Sequence, residues 1–264
     1  MKVKTIELKG NKGVLKLEGT DVYFVNAIRR VMLSELPKLA IDDVIIYDNT
    51  SPLFDEIISH RLGLIPIPTD LRLMVFRKDC KCNGKGCPSC TVRYTLSKEE
   101  EGTVYSGDLQ PEHESLAIKE DKIPIVELSK DQRIILEVEA VLGQAKDHAK
   151  WQTILAPSYT MDVSIEVDKK RMDDVKDFIK ELPRDLVELK SDKLELKDVA
   201  KLPVFESYVD KAKADFITVK RDPTKITFSF ETDGSLSAKE ALKESVDILT
   251  KKYDEFSNLL KKLK

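Results

Sequence analysis

Apolar positions recur along the chain with two different periods, and the switches between them mark the elements. Ile6 and Leu8 alternate with polar neighbours, as do Leu15 and Leu17. Gly10-Asn11-Lys12-Gly13 lies between the two runs, so a β-hairpin is predicted. Helical spacing follows: Phe24, Val25, Ile28, Val31, Met32 and Leu36 share one face, with Thr20 or Asp21 as N-cap and Pro37 as the stop. Asn26, Arg29 and Arg30 fall on the other side of that helix. Ala40 to Tyr47 reads as a strand centred on Val44-Ile45-Ile46. In Ile134 to Leu142, the residues Ile134, Leu136, Val138 and Ala140 line one strand face. Tyr159 to Val167 alternates again, an amphipathic helix carries Met172, Val175, Phe178, Ile179 and Leu182, and strand-like pieces are expected up to about Val219. Ile226 to Glu231 is the last predicted strand, before a turn at Asp233-Gly234.

The most regular pattern comes at the end. Leu242, Val246, Leu249, Tyr253, Phe256, Leu260 and Leu263 are spaced 4, 3, 4, 3, 4, 3, an a/d stripe over three heptads. A helix lying on its own domain would show such a stripe, and so would one that packs along a partner helix. The 3.5-residue period and the terminal position favour the partner.

Residues 48 to 157 depart from this pattern, with short strands, several Pro and Gly punctuators and an acidic run at Glu99–Glu101, and they read as an inserted domain. Charged residues make up 34% of the chain, but 44 basic and 47 acidic side chains nearly cancel at a net charge of −3. A chain whose main task is gripping phosphates is usually basic, so direct nucleic-acid binding is not the first expectation and protein partners are. No apolar run approaches the ~18 residues of a membrane span, and the start Met1-Lys2-Val3-Lys4 has no apolar secretory core. An intracellular, cytoplasmic location is expected.

All four cysteines, Cys80, Cys82, Cys87 and Cys90, fall within eleven residues as C-x-C-x4-C-x2-C. Two close pairs on one loop can wrap four sulfurs around one metal ion, and zinc suits four thiolates. Four protein ligands close the coordination sphere, so such a zinc is structural. A tetrathiolate zinc carries a net charge of about −2, which Arg77, Lys78, Lys81 and Lys85 would offset. Gly84, Gly86 and Pro88 provide turns. Disulfides do not suit a reducing compartment, and the spacing differs from the usual iron–sulfur motifs.

Catalytic patterns are missing. No P-loop, G-x-G-x-x-G or H-E-x-x-H occurs, and His60, His113 and His148 have no triad partners nearby in sequence. Asp42-Asp43 could bind magnesium, but a lone acidic pair at a strand edge is more often solvated or ion-paired.

Three segments in chain order resemble one family. Phe24-Val25-Asn26-Ala27-Ile28-Arg29-Arg30 is similar to the N-A-[IL]-R-R helix of the α-like subunits of multisubunit DNA-dependent RNA polymerases. Asn49-Thr50-Ser51-Pro52-Leu53-Phe54-Asp55-Glu56-Ile57-Ile58-Ser59-His60-Arg61-Leu62 resembles the N-x-S-x-L-x-D-E-x-[IL]-x-H-R-[IL] run of the branch formed by the archaeal D-type and eukaryotic third-largest subunits. Gly143-Gln144-Ala145-Lys146-Asp147-His148-Ala149-Lys150-Trp151 looks like that branch's G-x-G-x-x-H-A-K-[WF] turn, with Ala145 at the second glycine. Val104-Tyr105-Ser106-Gly107-Asp108-Leu109 also matches.

The resemblance implies an α+β fold: a discontinuous α-subunit-type dimerisation domain from 1–45 and 220–264, joined by the strand near 157–167. A mostly-β inserted domain at 46–156 would carry the four-cysteine metal loop, and a small ferredoxin-like α+β third domain would occupy 168–219. Many archaeal relatives hold iron–sulfur clusters in that third domain. No cysteine falls there in this chain, so no cluster is expected. The implied role is non-catalytic: pairing with the small subunit L, then docking of the small zinc subunits N and P and of the large subunits. Phe24, Ile28, Leu242, Val246, Leu249, Tyr253, Phe256, Leu260 and Leu263 would form the partner interface, and Arg29 and Arg30 would face a large subunit. Two other classes compete. A stand-alone zinc-loop nucleic-acid module is disfavoured by the acidic balance, and a metal-dependent enzyme by the closed site.

Overall fold

The computed structural model describes residues 1–190, 193–198 and 201–263. Among them it shows a mixed α+β chain with twelve strands and five α-helices. Strands β1 (Lys2–Lys9) and β2 (Lys12–Glu18) form the expected hairpin, turning at Gly10 with φ 58°. Helix α1 (Val22–Ser34) buries Val25, Ile28, Val31 and Met32, and ends before Pro37 opens β3 (Pro37–Asn49).

The chain divides into two units. The smaller comprises residues 1–4, 16–22 and 159–227, and the larger 5–15, 23–158 and 228–264. The smaller unit carries α3 (Met172–Glu181) and α4 (Leu202–Ala212). Its strands are β10 (Val187–Lys190), β11 (Lys193–Leu196) and the adjoining parts of β9 (Ile154–Val167) and β12 (Ile217–Thr232). They lie in one sheet ordered β1-β2-β12-β9-β11-β10. Its core gathers Ile165, Phe178, Leu182, Leu186, Leu194, Phe205 and Ile217, with Phe178 edge-on to Phe205 and Phe216. Helix α4 stands where strand-like pieces are expected from sequence. Val204, Tyr208 and Val209 have strand-forming side chains, but Pro203 fixes the first turn and Phe205 is buried as the helix's anchor. Lys213, at φ 50°, ends the helix in the left-handed region.

In the larger unit an antiparallel sheet runs β3-β8-β4-β6, using β4 (Thr91–Lys98), β6 (Gln110–Pro111) and β8 (Ile134–Gln144). Strands β5 (Gly102–Tyr105) and β7 (Pro124–Leu128) pair separately. Alternation on β8 turns Ile134, Leu136, Val138 and Ala140 inward, as the sequence predicts, and sets Leu136 opposite Leu96 and Val138 opposite Tyr94. Helix α2 (Asp55–Gly63) adds Ile58 and Leu62 to this core. Tyr94 is fully buried and its hydroxyl donates to the Leu116 carbonyl at 2.8 Å; burial pushes its pKa up.

The conspicuous sequence segments have internal work. Asn49 donates to Leu53 O at 3.0 Å and to Asp55 at 2.7 Å, Ser51 bonds Asn49 at 2.6 Å, and Arg61 donates to the Ile125 carbonyl at 2.7 Å. Trp151 donates to Val141 O at 3.2 Å and lies so close to Gly143 that a Cβ there would fall 2.2 Å from its ring. Asp42 pairs with Lys150 and Asp43 with Arg77, so both carboxylates are ion-paired. Helix α5 (Ala238–Lys261) begins with a capping box between Ser237 and Glu240 and buries only Ala238, Ala241 and Ser245.

Candidate metal centre and terminal helix

The metal loop runs from a 3-10 turn at Arg77–Asp79 to Thr91, the first residue of β4. Val75 N donates to Ser89 O at 2.9 Å across its base. Two tight turns shape it. Asn83 N bonds Cys80 O at 3.1 Å, and Cys90 N and Thr91 N both bond Cys87 O, at 2.8 and 2.9 Å. Asn83, Gly84 and Gly86 take φ values of 53°, 79° and 81°, which is why glycines punctuate this stretch. Cys80 and Cys90 are buried and Cys82 and Cys87 half-buried, and the four Sγ atoms all lie within 4.8 Å of one another.

These distances test what the loop fits. Sγ–Sγ separations are 3.5 Å for Cys80–Cys87, 3.6 Å for Cys82–Cys90 and 3.9 Å for Cys87–Cys90. Four sulfurs tetrahedrally placed ~2.3 Å from one zinc are about 3.8 Å apart, so the set has the dimensions of a single-ion cage. A disulfide would need ~2.05 Å, and the four thiols are free. Cys87 N–H donates to Cys90 Sγ at 3.4 Å. Among the sulfurs the proton demand is divided. Hydrogen bonding from the Cys80 thiol, aided by Cys90, brings Cys82 down to about 6. A backbone bond from Cys82 works to lower Cys80, but side-chain bonds to Cys82 and Cys87, with burial, outweigh it and push the thiol up. Among the described residues, these cysteines are the group of three or more potential ligands that comes within metal-binding reach.

Beside the loop lies a charge row that the sequence does not announce. Arg77 Nη2 is 2.7 Å from Glu139 Oε2, and Arg93 reaches the other oxygen, Oε1, with Nε at 3.0 Å and Nη2 at 2.9 Å. Register places Asp43 and Arg93 on either side of Glu139, on β3 and β4. Such a row depends on strand pairing, which no local window of sequence reveals.

The predicted interface residues fall into different environments. On α5, Val246, Tyr253, Phe256 and Leu260 are exposed and Leu242 and Leu249 half-buried; Leu263, exposed as well, lies past the helix end at Lys261. Leu259, which the a/d spacing leaves out, is 60% exposed beside them. From Thr250 to Leu263 every residue is exposed. A Lys252–Glu35 ion pair links α5 to the residue after α1. On α1, Phe24 is half-buried and Ile28 buried. Arg29 donates to the Pro157 carbonyl at 3.1 Å and to Asn26 at 3.2 Å, whereas Arg30 is exposed.

Four cysteines close enough together to suit one metal ion and a long helix with an exposed apolar stripe are features that fit a subunit of a larger assembly. The comparisons agree. The family model of the RNA polymerase Rpb3/Rpb11 dimerisation domain matches residues 14–253. A protein of Picrophilus torridus named DNA-directed RNA polymerase subunit Rpo3 is 35% identical over 271 residues, covering 98% of each chain. Proteins of the same name from Methanosphaera stadtmanae and Thermoplasma volcanium are each 36% identical, covering 98% and 96% of this chain and 98% and 97% of their own. The chain belongs to this RNA polymerase family, as a non-catalytic subunit. Among the described residues, no helix is long and apolar enough to cross a membrane.

Proposed function

We propose that this chain is the assembly platform of an archaeal-type DNA-directed RNA polymerase. It pairs with a small α-like subunit, subunit L in the archaeal enzymes, through α5 and the exposed side of α1. The heterodimer then receives the small zinc subunits N and P and the large catalytic subunits, in the cytoplasm. Its dimerisation domain comprises 1–45 and 220–264, with the strand near 157–167. The inserted domain is 46–156, and 168–219 form a ferredoxin-like third domain without a cluster. Cys80, Cys82, Cys87 and Cys90 hold one structural zinc that ties the loop to β4. The carrying observation is the terminal stripe, five of whose seven residues are exposed, four on α5 and Leu263 just after it. Bare apolar stripes of that length belong at interfaces.

The test is purification of the tagged chain from its native cells, with mass spectrometry of what accompanies it and metal analysis. Recovery of two large subunits, a small α-like partner and about one zinc for this chain is the expected result. A lone, monodisperse monomer would overturn the platform reading.

A further inference from the structure

We propose that Arg77 is the positioning residue of the metal loop, a clasp that holds its Cys82–Cys87 half against the sheet and sets how slowly the metal leaves. The inference rests on the zinc reading above.

The four ligands are not equally secured. Cys90 is fully buried and runs directly into β4, and Cys80 is buried as well. Cys82 and Cys87 are half-buried, on the side a competing ligand reaches first. The residues joining them, Asn83 to Gly86, include three in the left-handed region, and space around Gly84 is open for 4 Å. Gly86 is different. A Cβ there would lie 3.0 Å from Arg77 Nη2 and 3.4 Å from Thr91 Oγ1, so the guanidinium lies directly against the backbone next to Cys87.

That guanidinium is fixed from the other side. Nη2 bonds Glu139 on β8 at 2.7 Å, and Nη1 lies 3.4 Å from Asp43 on β3. The Glu139 side chain is only 16% exposed and is held in turn by Arg93 on β4. One planar fork therefore lies between a ligand-bearing turn and two neighbouring strands, a geometry that lysine's single ammonium cannot reproduce. The guanidinium also brings positive charge to a site whose loaded form is anionic. With the clasp gone, the Cys82–Cys87 turn is free to swing outward while Cys80 and Cys90 stay in place, and ligand exchange begins there.

The experiment follows zinc transfer from the full-length chain to an excess of a chromophoric chelator, beside thermal unfolding of the same zinc-loaded preparations. Arg77→Ala is expected to release zinc on the order of tenfold faster, the effect of losing one charge-assisted hydrogen bond. Arg77→Lys should fall between the two. Glu139→Gln should reproduce part of the effect and add little to Arg77→Ala, because both act through one contact. Arg93→Ala separates positioning from general sheet support, since it removes a Glu139 partner but leaves Arg77 in place, and its acceleration should be clearly smaller. Release from Arg77→Ala at the wild-type rate, or an equal acceleration in Arg93→Ala, overturns the clasp and leaves the zinc site standing. A wild-type chain that yields no zinc overturns both.

Discussion

Truncating Phe256 to alanine separates a helix that packs on its own chain from one that waits for a partner. Phe256 is 59% exposed on α5. A phenylalanine side chain presents ~200 Å², so ~120 Å² of mostly apolar surface remains for a partner to cover. At ~25 cal/mol per Å² that area is worth about 3 kcal/mol, or roughly a hundredfold in Kd. This is an upper figure, since a partner need not cover all of it. The change should cost the chain itself little, within ~0.5 kcal/mol, because few intrachain contacts are lost. The assay is titration of the variant against the small α-like subunit, together with denaturant unfolding of the variant alone. Lys251→Ala, exposed on the same helix, serves as the control. Partner affinity unchanged within twofold would refute the interface. So would a loss of ~3 kcal/mol in the stability of the chain alone, which would mean that α5 packs at home.

Three further perturbations probe the frame. Gly143→Ala forces a methyl to within 2.2 Å of the Trp151 ring, so overpacking should cost ~1–3 kcal/mol. The loss should appear in denaturant unfolding and as a shifted emission from the chain's one tryptophan. Lys38, 3% exposed, meets Asp233 at 2.5 Å; Asp233→Ala should cost about 3–5 kcal/mol by stranding a buried ammonium, and a loss under ~1 kcal/mol on urea unfolding would contradict this. For Glu139, burial works to raise the pKa, but hydrogen bonds from Arg93 and Arg77 outweigh it and leave the carboxyl below its ordinary value. A depressed folded-state pKa means stability that is present above the unfolded carboxylate range, near ~4.3, and lost as pH falls through the folded value. The stability gap between wild type and Glu139→Gln, measured by urea unfolding of the metal-free chain across pH, should therefore be full at neutrality and close in acid. A gap independent of pH would show that Glu139 does not act through its charge.

What could be read from sequence was whatever repeats within one local window. The inward face of β8, the buried side of α1 and the α5 stripe each have their period inside a dozen or so residues. The cysteines announce themselves by spacing. Helix α4 was missed because its β-branched and aromatic side chains argue locally for strand, and only the burial of Phe205 in the smaller unit's core decides for helix. Its Pro203 at the first turn was a usable signal, as was Ser237-x-x-Glu240 ahead of α5. The Arg77–Glu139–Arg93 row had no such signal, since it joins residues 62 and 46 positions apart through strand register. For the α5 stripe the 3.5-residue period and terminal position favour a partner, but they identify an apolar face without measuring its exposure.

Small side chains settle how α5 divides its duties. Ala238, Ala241 and Ser245, in its first turns, are its buried residues, and the bulky Val246, Tyr253, Phe256 and Leu260 are exposed. The metal loop anchors elsewhere, since Cys90 is continuous with β4, whose Val92, Tyr94 and Leu96 stand in the core of the β3-β8-β4-β6 sheet. The cysteine loop and α5 thus belong to different parts of the larger unit. Stripping the metal should loosen the start of β4 and lower the unfolding midpoint, yet leave the α5 stripe able to bind its partner with affinity changed by no more than a few-fold. If affinity instead collapses with the metal while α5 stays helical by circular dichroism, the loop itself forms part of the partner-binding surface, and the two devices act as one.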